Sequence, residues 1–376
     1  MAHLPKLIGV VIGLCLAAGV TAMTERGWPS AESATGPLLS ECDGAIRELV
    51  IQYTSEAAPI VERTYRDFLA QLPADVTVRV VCPNREAFDD FLRRTGRVSC
   101  TLRPIIAGHA MTCWARDRWI ALAPERSKGP MTLLLPRAES GADLWPQRAG
   151  DERTGLDVAS SAEGSVVANR SALLFDGGDF TTDGQIVFVT PDVARRNVQH
   201  TVKTREELVA TLERILKRKV ALLDPAPDHH AGMFMMVAGN RTALVGDPRL
   251  AKSLMAEETM GELLSSAGGC DFSEETQRRF DAVASQCEKL GYRVVRMPTI
   301  PAADGRTYLT YVNAIIDQRS SGRIAYMPTF QGAEPLNRAA ADVWRRLGYE
   351  VRPVDCTATY RHFGCLHCLV NVLRRS

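Results

Sequence analysis

The chain has 376 residues, 45% of them hydrophobic and 24% charged, with a formal net charge of +1. That length can bury a large core, as one big domain or two ordinary ones. There is no basic excess and no basic run with interleaved aromatics, so neither nucleic acid nor an anionic lipid surface is indicated as a partner.

The N-terminus, residues 1–22, reads as a signal peptide. Lys6 gives a positive start, and Leu7 to Val20 is an unbroken apolar run of roughly 14 residues, short for a membrane span. Val20-Thr21-Ala22 then offers the small residues that signal peptidase needs. Cleavage predicts a secreted or periplasmic protein with no stable membrane insertion; an uncleaved anchor is the other reading. Residues 23–44, rich in Gly, Ser, Pro, Thr and Glu, read as a linker. Residues 45–376 read as a single folded domain.

Within that domain a diverged helix-then-strand unit recurs. Phe280 through Leu290-Gly291-Tyr292 to Pro298 reads as a helix, a Gly stop and a strand, and Asn337 through Leu347-Gly348-Tyr349 to Asp355 repeats it. Arg205 to Asp224 is a third copy without the Gly. Glu62 to Val81 is a looser fourth, with Cys82 ending its strand. Further strands fall at 185–189, 241–245 and 323–328. Alternating helices and strands that recur at intervals predict an α/β repeat architecture, with closure into a ring as one arrangement and a doubly wound sheet as the plainer one. No Gly-rich phosphate loop follows a first strand, so no dinucleotide site is expected.

Ten cysteines are present, and loss of Cys15 with the leader leaves nine. An odd number in an exported chain predicts at least one free thiol, with up to four disulfides among the rest and no pairing readable from sequence. Cys365 and Cys368 form a Cys-x-x-Cys, the spacing of a redox pair or of half a zinc site. No second such pair exists, so a structural zinc site is not expected.

Four polar islands sit in apolar surroundings. Trp114-Ala115-Arg116-Asp117-Arg118-Trp119 places a carboxylate between two Arg and two Trp. Two indole walls and one carboxylate suit a planar cation; a surface ion pair of Asp117 with Arg116 or Arg118 is the plainer reading. Asp176-Gly177-Gly178-Asp179 follows the apolar Leu173-Leu174-Phe175, and its glycines permit close backbone approach. It reads as a site on a turn or as a simple hairpin. His230 precedes the apolar Gly232-Met233-Phe234-Met235-Met236-Val237 and is the candidate base, with His229 as its rival. Gly364-Cys365-Leu366-His367-Cys368 ends the chain with the candidate nucleophile. If that segment is a strand, His367 faces away from Cys368, and the base comes from elsewhere. Asp, Asp, His and Cys in this order are the parts of a thiolate hydrolase.

These islands, in this order, resemble the guanidino-group-modifying superfamily with the pentein fold, closest to its agmatine deiminase and bacterial peptidyl-arginine deiminase branch. Trp-x-Arg-Asp is matched by Trp114 to Asp117, the acidic-Gly-Gly motif by Asp176-Gly177-Gly178, and His-x-Asp-Met-Phe-Met by His230 to Met235. Gly-Gly-x-His-Cys resembles Gly364 to Cys368, and a Tyr-x-Asn strand resembles Tyr311-Val312-Asn313. The resemblance implies an α/β propeller of about five ββαβ-type units spanning residues 45–376. It implies that Cys368 attacks the amidine carbon to give a covalent thiouronium, that His230 shuttles protons and that Asp176 orients it. Asp117 would hold the substrate cation, with Trp114, Arg116 and Asp179 as further substrate contacts. Neither a metal nor an organic cofactor is required.

One position departs from the pattern. Gly232 stands where the family's His-x-Asp has its Asp, which removes roughly 1.5–3 kcal/mol of charged hydrogen bonding to a substrate guanidinium. Dimethylarginine dimethylaminohydrolases lack that Asp too and share the Asp-Gly-Gly-Asp style. A bridge between Cys365 and Cys368 would silence the nucleophile. Two further expectations are a pentein that binds without catalysing and an amidinotransferase that passes the amidino group to an amine.

Overall fold

The computed structural model describes residues 34–124, 129–139 and 146–376. The predicted signal peptide and residues 23–33 of the predicted linker lie outside these. Residues 34–44 run as an extended strap. Gly36 N donates to Ile215 O, Leu39 N to Ala121 O and Glu41 N to Thr182 O. Leu38, Glu41 and Cys42 are buried, so this part of the linker packs against the domain.

Among the described residues the strands form five sheets that share one plan. A strand runs parallel to its successor across a helical crossover, and a shorter strand pairs antiparallel on its other side. In the first sheet, β1 (Ile46–Gln52) pairs in parallel with β2 (Thr77–Cys82), and β3 (Thr101–Ile106) adds a further parallel strand. β4 (Ile120–Leu122), β5 (Met131–Leu135) and β6 (Val166–Arg170) form the second sheet, and β7 (Phe180–Thr182), β8 (Ile186–Val189) and β9 (Lys219–Leu222) the third. The fourth contains β10 (Met235–Val237), β11 (Thr242–Asp247), β12 (Arg293–Pro301) and β13 (Tyr308–Thr310). The fifth contains β14 (Ile315–Arg319), β15 (Gly322–Thr329) and β16 (Tyr349–Asp355). The last strand, β17 (Val370–Arg375), returns to pair antiparallel with β1. The end of the chain therefore completes the sheet that its beginning started, and places Cys368 immediately before that closing strand.

All four predicted helix-strand copies are present, as the helices Ala58–Leu69, Arg205–Leu216, Glu274–Lys289 and Glu334–Arg346 followed by β2, β9, β12 and β16. A fifth copy, the helix Pro146–Ser160 followed by β6, had no sequence signal. Its buried positions are Gly150, Asp151, Thr154, Gly155 and Val158. The spacing is helical, but mostly small or polar residues fill it, so no apolar stripe marks the helix. Gly150 is small by necessity, since a Cβ there would lie 1.6 Å from the Ala110 carbonyl oxygen. Among the described residues no helix is long and apolar enough to cross a membrane.

None of the nine cysteines from Cys42 to Cys368 is disulfide-bonded, and all but Cys270 are buried. The disulfides that the cysteine count allowed are not formed, and neither is a Cys365–Cys368 bridge. The seven buried thiols other than Cys368 pack as small apolar side chains of the core.

Candidate active site

Cys368 sits on a one-turn helix, Leu366–Leu369, rather than on a strand. The residue is 4% exposed. Asn313 Nδ2 approaches Sγ at 3.4 Å and donates to the Gly232 carbonyl at 2.9 Å. Asn313 Oδ1 accepts the backbone N–H of His367 at 2.8 Å. One amide thus ties the Cys368 turn to the segment that follows His230. Arg116 N donates to the Cys368 carbonyl at 3.2 Å, which ties the same turn to the first island.

A cavity of about 480 Å³ opens beside this thiol, lined among others by Trp114, Asp117, Arg148, Asp176, His230 and Cys368. Residues from all four islands meet there. His230 Nε2 lies 3.8 Å from Asp176 Oδ2, an ion-pair contact longer than a hydrogen bond. Its ring packs on Gly178, where a Cβ would stand 2.4 Å from Nδ1, so only glycine fits at that position. Burial alone would pull the pKa of His230 down. Asp176 and Cys368 beside it, with the charges of Asp117 and Asp179, hold it well above the ordinary histidine value instead. His229 also lines the cavity, but its Nδ1 accepts the backbone N–H of His230 at 2.8 Å. Burial, then the neighbouring charges of His230 and Arg306, push the His229 pKa down to about 3. Of the two rivals, His230 is the one with the carboxylate partner.

Asp117 is buried, which raises its carboxyl pKa against the opposing charge of His230. Its Oδ2 accepts from Arg148 Nη1 at 3.0 Å, and Arg148 Nη2 donates to Asp176 Oδ1 at 2.8 Å. The chain's own guanidinium therefore bridges the two carboxylates that face the cavity. Asp176 also accepts from Arg118 at 3.0 Å and Arg196 at 3.3 Å. Burial would raise its carboxyl pKa, but the His230 ring, then the charges of Arg148 and Arg196, hold it well below the usual range.

Two expected substrate contacts lie elsewhere. Arg116 points away from the cavity into a buried ion pair with Glu41, with its other amine 3.4 Å from Asn371 Oδ1. Asp179 folds back on its own turn, accepting the Asp176 N–H at 2.8 Å and the Thr190 hydroxyl at 2.6 Å. Burial first, then the charge of Asp176, raises its pKa to about 6. Trp119 is fully buried in the core, so Trp114 alone of the two indoles lines the cavity. Sequence reading overlooked Arg148, Thr112, Arg306, His362 and Phe363, which belong to no motif. It also overlooked Glu41, which holds His367 Nε2 at 3.0 Å and turns that ring away from Cys368. Among the described residues no group of three or more His, Cys, Asp or Glu could hold a metal.

Five sheets of one plan, closed by the last strand and with this cavity among them, define a pentein fold. The agmatine deiminase of C. jejuni has the same fold, with a TM-score of 0.65 over 90% of this chain and 97% of that one at 14% identity. The agmatine deiminase of Enterococcus faecalis matches with a TM-score of 0.64 over 92% of this chain and 98% of that one at 12% identity. No protein-family model matches the sequence, and no curated protein sequence does.

Proposed function

We propose that this protein is a cysteine-dependent hydrolase of the deiminase type acting on a guanidino or amidino group. The observation that carries this reading is the convergence of Asp117, Asp176, His230 and Cys368 on one cavity. The Cys368 thiolate attacks the amidine carbon, forming a C–S bond and a tetrahedral adduct. The C–N bond to the leaving amine breaks as that amine takes a proton from His230, which leaves a thiouronium. Neutral His230 then takes a proton from water, whose oxygen attacks the same carbon. The C–S bond breaks and restores the thiolate, the proton of the adduct's hydroxyl passes through solvent to the ammonia or amine already released, and the ureido product leaves. Asp117 faces the cation, and Asp176 keeps His230 charged until the proton is needed. A substrate cation must share Asp117 with Arg148 or displace it.

Export rests on residues 1–22 alone, because unpaired buried cysteines remove the support that the cysteine count gave. A secreted or periplasmic location is proposed on that leader, and fractionation of tagged full-length protein tests it.

Intact-protein mass spectrometry after incubation with 2-chloroacetamidine tests the chemistry. One adduct on Cys368, absent in Cys368→Ser and slowed in His230→Gln, is expected. No adduct on folded protein would reduce the protein to a binding module.

A further inference from the structure

The rim of the cavity carries a cation that forms no ion pair among the described residues. Arg306 lines the cavity beside His362 and Phe363, and its guanidinium carbon stands 4.7 Å over the Phe363 ring. Stacking fixes the plane of a guanidinium and leaves its N–H edges free to bind a carboxylate as a fork. Among the described residues Arg306 forms no ion pair, and the carboxylates around it are engaged elsewhere. Asp304 accepts the backbone N–H groups of Arg306 and Thr307 and the Thr307 hydroxyl. Asp228 pairs with Arg195 and Arg279, and Asp192 with Arg195 and Arg196.

The ring beneath Arg306 is held against backbone preference. Phe363 has φ of +68° and is 41% exposed, and His229 in the same wall has φ of +83°. Phe363 caps the Tyr360–His362 turn in the left-handed region, with its N–H donated to the Tyr360 carbonyl, and its ring carries Arg306 at the cavity rim.

The charges of the lining point the same way. Deep in the cavity Arg148 and protonated His230 face Asp117, Asp176 and the Cys368 thiolate, a balance that suits one guanidinium, while Arg306 is the charged side chain at the rim. A dicationic substrate would add repulsion, whereas a guanidine bearing a carboxylate adds no net charge.

We infer that the substrate is a guanidine whose far end is anionic, and that Arg306, stacked on Phe363, receives its carboxylate at the cavity rim. This rests on the hydrolase reading above. It sets the chain apart from the neighbours whose name is taken from agmatine, which ends in an amine.

The test compares 4-guanidinobutanoate, butylguanidine and agmatine, which differ chiefly in the charge of the far end. A kcat/KM for the acid at least about tenfold above agmatine is expected, with butylguanidine between them. Arg306→Ala should remove the advantage of the acid, Arg306→Lys should restore part of it, and butylguanidine should be unchanged in both. Arg306 is exposed, so these variants should keep the native circular dichroism. Agmatine preferred over the acid, or a preference that survives Arg306→Ala, overturns the inference. If none of the three is turned over, the same compounds are compared as protectors of Cys368 against 2-chloroacetamidine. Protection by the acid that is lost in Arg306→Ala supports the inference, and equal or absent protection overturns it. Failure of Cys368 to label in the unprotected protein would instead break the hydrolase reading, and the inference with it.

Discussion

Two histidines near Cys368, the buried His367 and the partly buried His230, have their pKa values shifted in opposite directions. His367 lies closer to its carboxylate, 3.0 Å from Glu41, than His230 does to Asp176 at 3.8 Å. Yet His230 is held well above the ordinary histidine pKa, while burial, opposed by Glu41 and reinforced by Arg116, holds His367 below it. Distance to one carboxylate does not decide the outcome. Glu41 is shared with Arg116, and Arg375 adds a second cation near His367. His230 has three carboxylates around it, Asp176, Asp117 and Asp179, as well as the Cys368 sulfur. The local surplus of negative charge favours the protonated form of His230, while burial favours the neutral form of His367.

This contrast can be broken experimentally. The largest effect is expected from Cys368→Ser, which should abolish the amidine adduct and lower turnover by at least about 10³-fold. Next is the histidine pair itself. His230→Gln should lower kcat by about 10²- to 10⁴-fold. His367→Gln should leave kcat within about tenfold and instead lower unfolding free energy in urea by about 1–2 kcal/mol, since Glu41 loses a buried partner. Equal loss of activity in both variants would erase the distinction.

A smaller effect should come from Gly178→Ala, whose methyl group must displace the His230 ring. About a tenfold fall in kcat with little change in KM is expected, and an unchanged rate would mean that the ring position does not matter.

The smallest effect is on stability against pH, and its sign differs for the two rings. His230 binds its proton more tightly when folded. Its stabilisation is complete below the unfolded value of about 6.5 and is lost as pH rises through the raised folded value. His367 and His229 bind theirs less tightly when folded, so their share is complete above about 6.5 and is lost as pH falls. Urea midpoints between pH 5 and 9 should therefore lose their alkaline decline in His230→Gln and part of their acid decline in His367→Gln.

Much of the fold was legible because its units are local. A helix with an apolar stripe, a Gly stop in two copies and a β-rich run are each written within about 25 residues. The unit around Pro146–Ser160 was not legible, because contact with the Ala110 backbone demands Gly where a stripe would otherwise stand. In the site, Asp117, Asp176, His230 and Cys368 were readable as polar residues isolated in apolar runs. The direction of each side chain was not. Arg116 and Asp117 are adjacent, yet one faces Glu41 in the interior and the other faces the cavity.

By itself the sequence determined the repeated α/β unit and the chemical types of the reacting groups, since periodicity and residue identity are properties of short segments. Only the tertiary structure decided which histidine carries charge, which arginine bridges Asp117 and Asp176, and that the nine cysteines stay unpaired. Those outcomes depend on fields and contacts between residues far apart in the chain, and they exist only once β17 has joined the first sheet beside β1.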